Sequence, residues 1–87
     1  MMYYVYLIQS QNRPDKLYLG STNDLRRRLK QHNGNKSLFT ARYSPWKLIY
    51  YEAFLSQKDA RVRESKLKNH GKGMYELKKR LEDSLRG

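Results

Sequence analysis

The chain opens on an unbroken apolar and aromatic run, YYVYLIQ at residues 3–9. Val, Ile and Tyr favour extended backbone. A run without polar alternation reads as a strand covered on both faces, and so as a central one. Tyr4, Tyr6 and Ile8 would share one face, and Tyr3, Val5 and Leu7 the other. A polar turn, SQNRPD, leads to a second short strand, KLYLG at 16–20. Together they predict a hairpin with a turn of about six residues, longer than the two-residue kind. Ser21, Thr22 and Asn23 can each cap a helix, and Asp24 suits its positive end. The helix LRRRLKQH stops at Asn33-Gly34, a C-terminal signal. Residues 33–45 read as a long polar loop closed by Pro45, a length that is usually functional or mobile.

WKLIYYEAF at 46–54 predicts a third strand. Ser56-Gln57-Lys58-Asp59 resembles a capping box with Asp in place of Glu, opening a helix from about 57 to 69. A last helix, from about 73 to 85, carries an apolar stripe of Met74, Leu77, Leu81 and Leu85. The order ββαβαα predicts an α/β (α+β) fold. It consists of a three-stranded, mainly antiparallel sheet flanked by helices, one domain over residues 1–87.

Helical phase then separates the charged residues. With Leu25 at 0° and roughly 100° per residue, Leu29 falls near 40°, His32 near 340° and Arg28 near 300°. Arg26 and Arg27 point roughly 100° and 200° away, toward solvent. Of three consecutive arginines, Arg28 alone borders the inward face. In the helix after the third strand, with Ala60 at 0°, Glu64 lies near 40° and Leu67 near 340°. A carboxylate held between apolar neighbours is paired or binds a metal. Structural readings remain open: a salt bridge from Glu64 to Arg28, a core or helix-end role for His32, and core packing for the tyrosines. Gly20 ends its strand just before a helix start, where a missing side chain lets a ligand or backbone approach closely.

Charge narrows the class. Lys and Arg total 19 against 8 acids, a formal net charge of +11 on 87 residues. Such a surface repels itself, and a polyanionic partner offsets the repulsion. With no cysteine there is no disulfide or thiolate-metal site. The apolar start lacks a basic n-region and is far too short to span a bilayer. Secretion and membrane anchoring are therefore not expected; a cytoplasmic location is. An inward Arg, His and Glu on so basic a domain supply a phosphate clamp, a titratable group and a metal ligand. Those are the parts of metal-assisted phosphodiester hydrolysis.

These residues carry a resemblance. Val5-Tyr6-Leu7 stands where the GIY-YIG nuclease family has GIY, and Tyr18-Leu19-Gly20 where it has YIG, about ten residues on. The stretch GSTNDLRRRLKQHN is similar to the family's helix with an Arg four residues before a His, here Arg28 and His32. Arg63-Glu64-Ser65-Lys66 looks like the position of the family's metal-binding Glu. VYL departs from GIY but keeps its Tyr.

The resemblance implies a small stand-alone endonuclease acting on DNA in repair, recombination or the processing of structured DNA. Tyr6, Tyr18, Arg28, His32 and Glu64 would converge on one side of the sheet. Glu64 would hold one Mg²⁺ or Mn²⁺, with water filling most of the shell. Arg28 would bind the phosphate, and Tyr18 would position it or the attacking water. Tyr6, its phenol acidified by nearby cations, would activate that water, with His32 as a rival base. Arg27, Lys36, Arg42 and Lys66 would contact the DNA backbone. Recognition by backbone shape is expected over recognition of base edges.

Two other readings stand beside this one. The first is a non-catalytic nucleic-acid-binding module on the same fold, which would bind in a salt-sensitive way without turnover. The second is a basic interaction domain that takes specificity from a protein partner. The residues favour no particular oligomeric state.

Overall fold

The structure is a computed structural model and describes residues 1–34, 38–69 and 71–86. Strands β1 (Tyr3–Ser10), β2 (Leu17–Thr22) and β3 (Trp46–Phe54) form one antiparallel sheet in the order β2-β1-β3. The continuously apolar first run is thus the central strand. Its residues from Val5 to Ser10 are all buried.

Each face of β1 carries its own core. On one face Val5, Leu7 and Leu19 pack with Ala60, Leu67 and Leu77, joined by Tyr3, Met74 and Leu81. These come from α3 (Gln57–Asn69) and α4 (Gly71–Arg80), with Leu81 just beyond. On the other face Tyr6, Ile8 and Trp46 pack with Tyr18, Leu25, Leu29 and Tyr43. Leu25 and Leu29 belong to α1 (Leu25–Asn33). The alternation of β1 therefore assigns one layer of helices to each side, as its period of two requires.

Several boundaries differ from the sequence expectation. β2 continues through Ser21 and Thr22, because both pair with β1, opposite Val5 and Tyr4. The cap of α1 is then Asp24, whose side chain accepts from the Arg27 N–H at 3.1 Å. The expected loop 33–45 contains a short helix, α2 (Leu38–Arg42), anchored where Trp46 Nε1 donates to the Thr40 carbonyl at 2.6 Å. The last helix begins at Gly71 and breaks at Leu81, giving α4 and α5 (Glu82–Arg86). Ser56 does cap α3, accepting from the Asp59 N–H at 3.3 Å.

Asn33 has a larger role than ending a helix. Its amide donates to the Trp46 carbonyl and accepts from the Trp46 N–H, at 3.2 and 2.6 Å. The end of α1 is thereby pinned to the start of β3. No described helix is long and apolar enough to cross a membrane.

Candidate active site

Across the β1–β2 pair, Tyr6 faces Gly20. A Cβ on Gly20 would lie 2.6 Å from the Tyr6 hydroxyl and 2.8 Å from its Cζ. The glycine leaves room for the phenol to lie flat over β2. This differs from the sequence expectation: the space at Gly20 is taken by Tyr6, not by a strand end admitting a ligand. The placed phenol meets His32, with Tyr6 Oη 2.7 Å from His32 Nε2. Helical phase turned His32 inward, and the residue is fully buried. Its other ring nitrogen, Nδ1, is buried with no hydrogen-bond partner. Tyr18 closes the group, with its ring 4.9 Å from the His32 ring and 6.4 Å from that of Tyr6.

Arg28 borders this cluster. It donates to Gln31 Oε1 at 2.9 Å, which fixes the guanidinium one turn before the end of α1. Burial disfavours its charge, but hydrogen bonding to Tyr6 and interaction with both phenols outweigh this and raise its pKa. Arg26 and Arg27 are exposed, as the helical phase predicts.

Burial dominates the electrostatics of the pair behind Arg28. It pushes the Tyr6 phenol up to about 12, although the Arg28 hydrogen bond and charge pull the other way. The expected acidification of Tyr6 is therefore overturned: one guanidinium does not repay the loss of water around a phenolate. Burial, with the Arg28 charge second, lowers His32 to about 4. At neutral pH the imidazole is uncharged and the phenol protonated.

Glu64 reaches the cluster from the opposite layer. Its helix packs with Val5 and Leu7, with Ala60 and Leu67 almost completely buried on either side of it. At the edge strand, Glu64 Oε1 accepts from Ser21 Oγ at 2.8 Å, and Oε2 pairs with Lys68 Nζ at 2.7 Å. Burial raises its pKa, but the Lys68 and Ser21 hydrogen bonds and the Lys68 and Arg61 charges lower it on balance. Glu64 is thus ionised, and close enough for its charge to act on Tyr6. One alternative reading and one expectation change. Glu64 pairs with Lys68, one turn along its own helix, and not with Arg28. The five residues also do not converge on one face: four lie on the α1 side, and Glu64, on α3, meets β2 at Ser21.

Three further residues belong to the site, none of them marked for it by sequence pattern: Ser21, Gln31 and Lys68. The i,i+4 spacing of Glu64 and Lys68 was the available signal. Ser21 and Gln31 become visible only once the strand pairing and the Arg28 rotamer are known.

The proposed DNA contacts divide. Arg27 is exposed and donates to Asn23 Oδ1 at 3.0 Å. Arg42 is exposed at the end of α2, its Cζ 5.9 Å from the Tyr43 ring. Lys66 is exposed on α3, turned roughly 200° around the helix from Glu64. Lys36 lies outside the described residues. A cleft of about 260 Å³ on the α3 side of β2 is lined by Tyr3, Ser21, Gln57 and Arg61 among others. It touches the cluster through Ser21 but contains none of Tyr6, Arg28 or Glu64, so we place the chemistry at the charged cluster.

Among the described residues no three His, Cys, Asp or Glu side chains gather to cage a metal. The ionised oxygens of Glu64 suit a hard cation that keeps most of its water. The residues present therefore fit one Mg²⁺ or Mn²⁺ on a single carboxylate. Lys68 holds one of the two oxygens and would have to yield.

Comparison with known proteins gives the family and the fold. A family model described as the GIY-YIG catalytic domain matches residues 2–80. The UPF0213 protein CPE1444 of Clostridium perfringens is 38% identical over 68 residues, covering 77% of this chain and 71% of the relative. The structure-specific endonuclease subunit SLX1 of Meyerozyma guilliermondii is 46% identical over 52 residues. That match covers 54% of this chain and 18% of the yeast protein, so the likeness is to a small part of it. Among solved structures, the UPF0213 protein BH0048 of Bacillus halodurans superimposes with a TM-score of 0.54 at 27% identity, over 93% of this chain and 87% of that one.

Proposed function

The chain belongs to the GIY-YIG catalytic-domain family, and from that premise we propose that it is an endonuclease hydrolysing DNA phosphodiester bonds with one Mg²⁺ or Mn²⁺ at Glu64. One observation carries the reading. An ionised carboxylate, a guanidinium and a phenol hydrogen-bonded to a neutral imidazole share one electrostatic cluster at the sheet edge. A purely structural cluster has no need to keep a carboxylate charged beside a buried phenol.

Arg28 takes the scissile phosphate, since its planar fork matches paired phosphate oxygens. Tyr6 Oη receives a proton from the attacking water while passing its own to His32 Nε2, the proton on Nδ1 staying in place. His32 is 0% exposed and Tyr6 2%, so Tyr6 is the member of the pair with any opening to water, and in this scheme His32 acts through it. The water oxygen bonds to phosphorus, the P–O bond to the leaving nucleoside breaks, and that oxygen takes a proton from solvent. The metal ion, when bound, supplies neutralisation of the charge developing on the phosphate and leaving oxygen. Tyr18 backs the imidazole and keeps the phosphate side of Arg28 in place.

The substrate class follows from two supports. The SLX1 relatives are described as structure-specific endonuclease subunits, and a domain this small has little surface for reading base edges. We therefore place its action on structured DNA in repair or recombination, with a protein partner adding specificity. Lys68 on Glu64 favours a second reading, a DNA-binding module without turnover, because it neutralises the carboxylate that a metal would use.

One assay separates the two. Duplex, flap, branched and damaged DNA are incubated with Mg²⁺ or Mn²⁺ and the parent, Glu64→Ala or Arg28→Ala protein. The enzyme reading expects metal-dependent cleavage that Glu64→Ala abolishes while salt-sensitive binding persists. Cleavage by Glu64→Ala at the parent rate removes the metal role. Binding without cleavage by the parent on every substrate selects the module.

A further inference from the structure

We propose that Phe39 is a stacking platform for an unpaired nucleobase beside the cleaved phosphate, so that the site takes single-stranded or locally unpaired DNA in preference to intact duplex. The inference rests on the nuclease reading and names its substrate class.

Phe39 sits on α2, between the helix that carries Arg28 and the strand that carries Trp46. It is 46% exposed, whereas Trp46, 6.2 Å away centroid to centroid, is 2% exposed. The phenyl ring thus contacts the buried indole while nearly half of the residue's surface stays open to solvent. Its ring lies 6.1 Å from Tyr18 at a 36° tilt and 5.3 Å from Tyr43. Tyr18 in turn touches His32 at 4.9 Å. A continuous aromatic path therefore runs from an open surface ring, through Tyr18, to the phenol–imidazole pair.

Cations flank the neighbouring Tyr43 ring. Arg42 Cζ lies 5.9 Å and Lys16 Nζ 5.5 Å from the Tyr43 ring. Lys16 leads into β2 and Arg42 closes α2, so the charges arrive from two separate parts of the chain. An aromatic face with phosphate-binding charges beside it is how proteins hold a nucleic-acid strand without reading its sequence. A base inside a duplex shows only its edges in the grooves. Its π-face is available only where a neighbour is missing or unstacked. Cover for Trp46 alone would explain the inner contacts of Phe39. It leaves unexplained why the ring stands half open against Tyr43, whose own ring two cations flank, and against Tyr18 of the reacting cluster.

The test uses the full chain without divalent metal, so that binding is read without turnover. The probes are a single-stranded oligonucleotide carrying 2-aminopurine and a blunt duplex of the same length. Binding of the parent should quench the 2-aminopurine. Phe39→Leu keeps apolar cover over Trp46 but loses the flat face, and should weaken single-strand binding roughly five- to a hundredfold with duplex binding almost unchanged. Phe39→Tyr should behave as the parent. No quenching in the parent, equal single-strand affinity in Phe39→Leu, or a parallel loss on duplex each overturn the platform. Should Phe39→Leu fail to fold, the decision passes to the parent and Phe39→Tyr: quenching in both supports the platform, and its absence in either overturns it. A parent that quenches but never cleaves removes the nuclease and keeps the platform; one that cleaves without quenching does the reverse.

Discussion

Gly20 and Tyr6 are cross-strand partners in which one residue's missing side chain is the other's space. A Cβ at position 20 would lie within 3 Å of two Tyr6 atoms and 3.1 Å from Tyr18 Cε1. The glycine at the end of YLG is therefore held by steric need, since an alanine there displaces the phenol from His32.

Gly20→Ala should cost about 1–3 kcal/mol, the usual penalty for forcing extra volume into a packed site. For a domain this small that lowers the melting temperature by roughly 4–8 °C per kcal/mol. Cleavage should fall by more than this destabilisation accounts for, because the Tyr6–His32 bond is broken. A folded Gly20→Ala protein with parent activity would show that the phenol's placement is irrelevant. Thermal melts and initial rates below the transition decide it.

His32 makes stability depend on pH. Its folded pKa, about 4, lies below the ordinary 6.5. Between those values the unfolded chain binds the extra proton, so stability is complete above about pH 6.5 and is lost as pH falls toward 4. The loss is on the order of 3 kcal/mol for a fully buried imidazole shifted this far. Urea midpoints at pH 7 and pH 4.5 should differ in the parent. They should differ much less in His32→Phe, where carboxylate titration alone remains. Equal pH slopes in both proteins would place the acid sensitivity elsewhere.

The pH–rate profile distinguishes a relay from a free phenolate. With His32 neutral and Tyr6 protonated, proton transfer through the pair should give a rate nearly flat from about pH 6 to 9. A phenolate with a pKa of about 12 acting alone would give a rate rising about tenfold per pH unit over the same range. Single-turnover cleavage at saturating metal separates the two, and a steep rise would eliminate the relay.

Lys68 competes for the metal position. Removing it by Lys68→Ala frees one oxygen of Glu64 and withdraws the contact that most opposes the effect of burial on that carboxyl. The Glu64 pKa should rise, while apparent Mg²⁺ affinity above pH 7 should improve, because the site loses a cation rival. Activity titrations against Mg²⁺ would show the half-saturation point moving to lower concentration. A weakened Mg²⁺ response would instead make Lys68 a partner of the substrate.

The sequence was most legible where one periodicity acted alone. The apolar run at 3–9 became the central strand because neither face alternates. Helical phase placed His32 and Glu64 inward and turned Arg26 and Arg27 out, since a regular helix leaves no freedom in direction. It failed where outcomes depend on neighbours in space. Whether Glu64 meets Arg28 or Lys68 depends on which layer its helix joins. Whether Tyr6 is acidified or suppressed depends on desolvation against one guanidinium, which spacing does not reveal. Helix α2 was hidden because its anchor is the indole of Trp46 bonding the Thr40 carbonyl, a tertiary contact and not a propensity.

The two cores on opposite faces of β1 have a practical consequence. Four of the site residues ride on one core and Glu64 on the other, so the proposed active geometry requires both layers to be docked to the same three strands. The α3 layer is then a remote control: a ligand or graft that loosens it would silence cleavage while the phosphate-binding half stays assembled. The domain could in this way be made conditional on a signal that never touches the substrate.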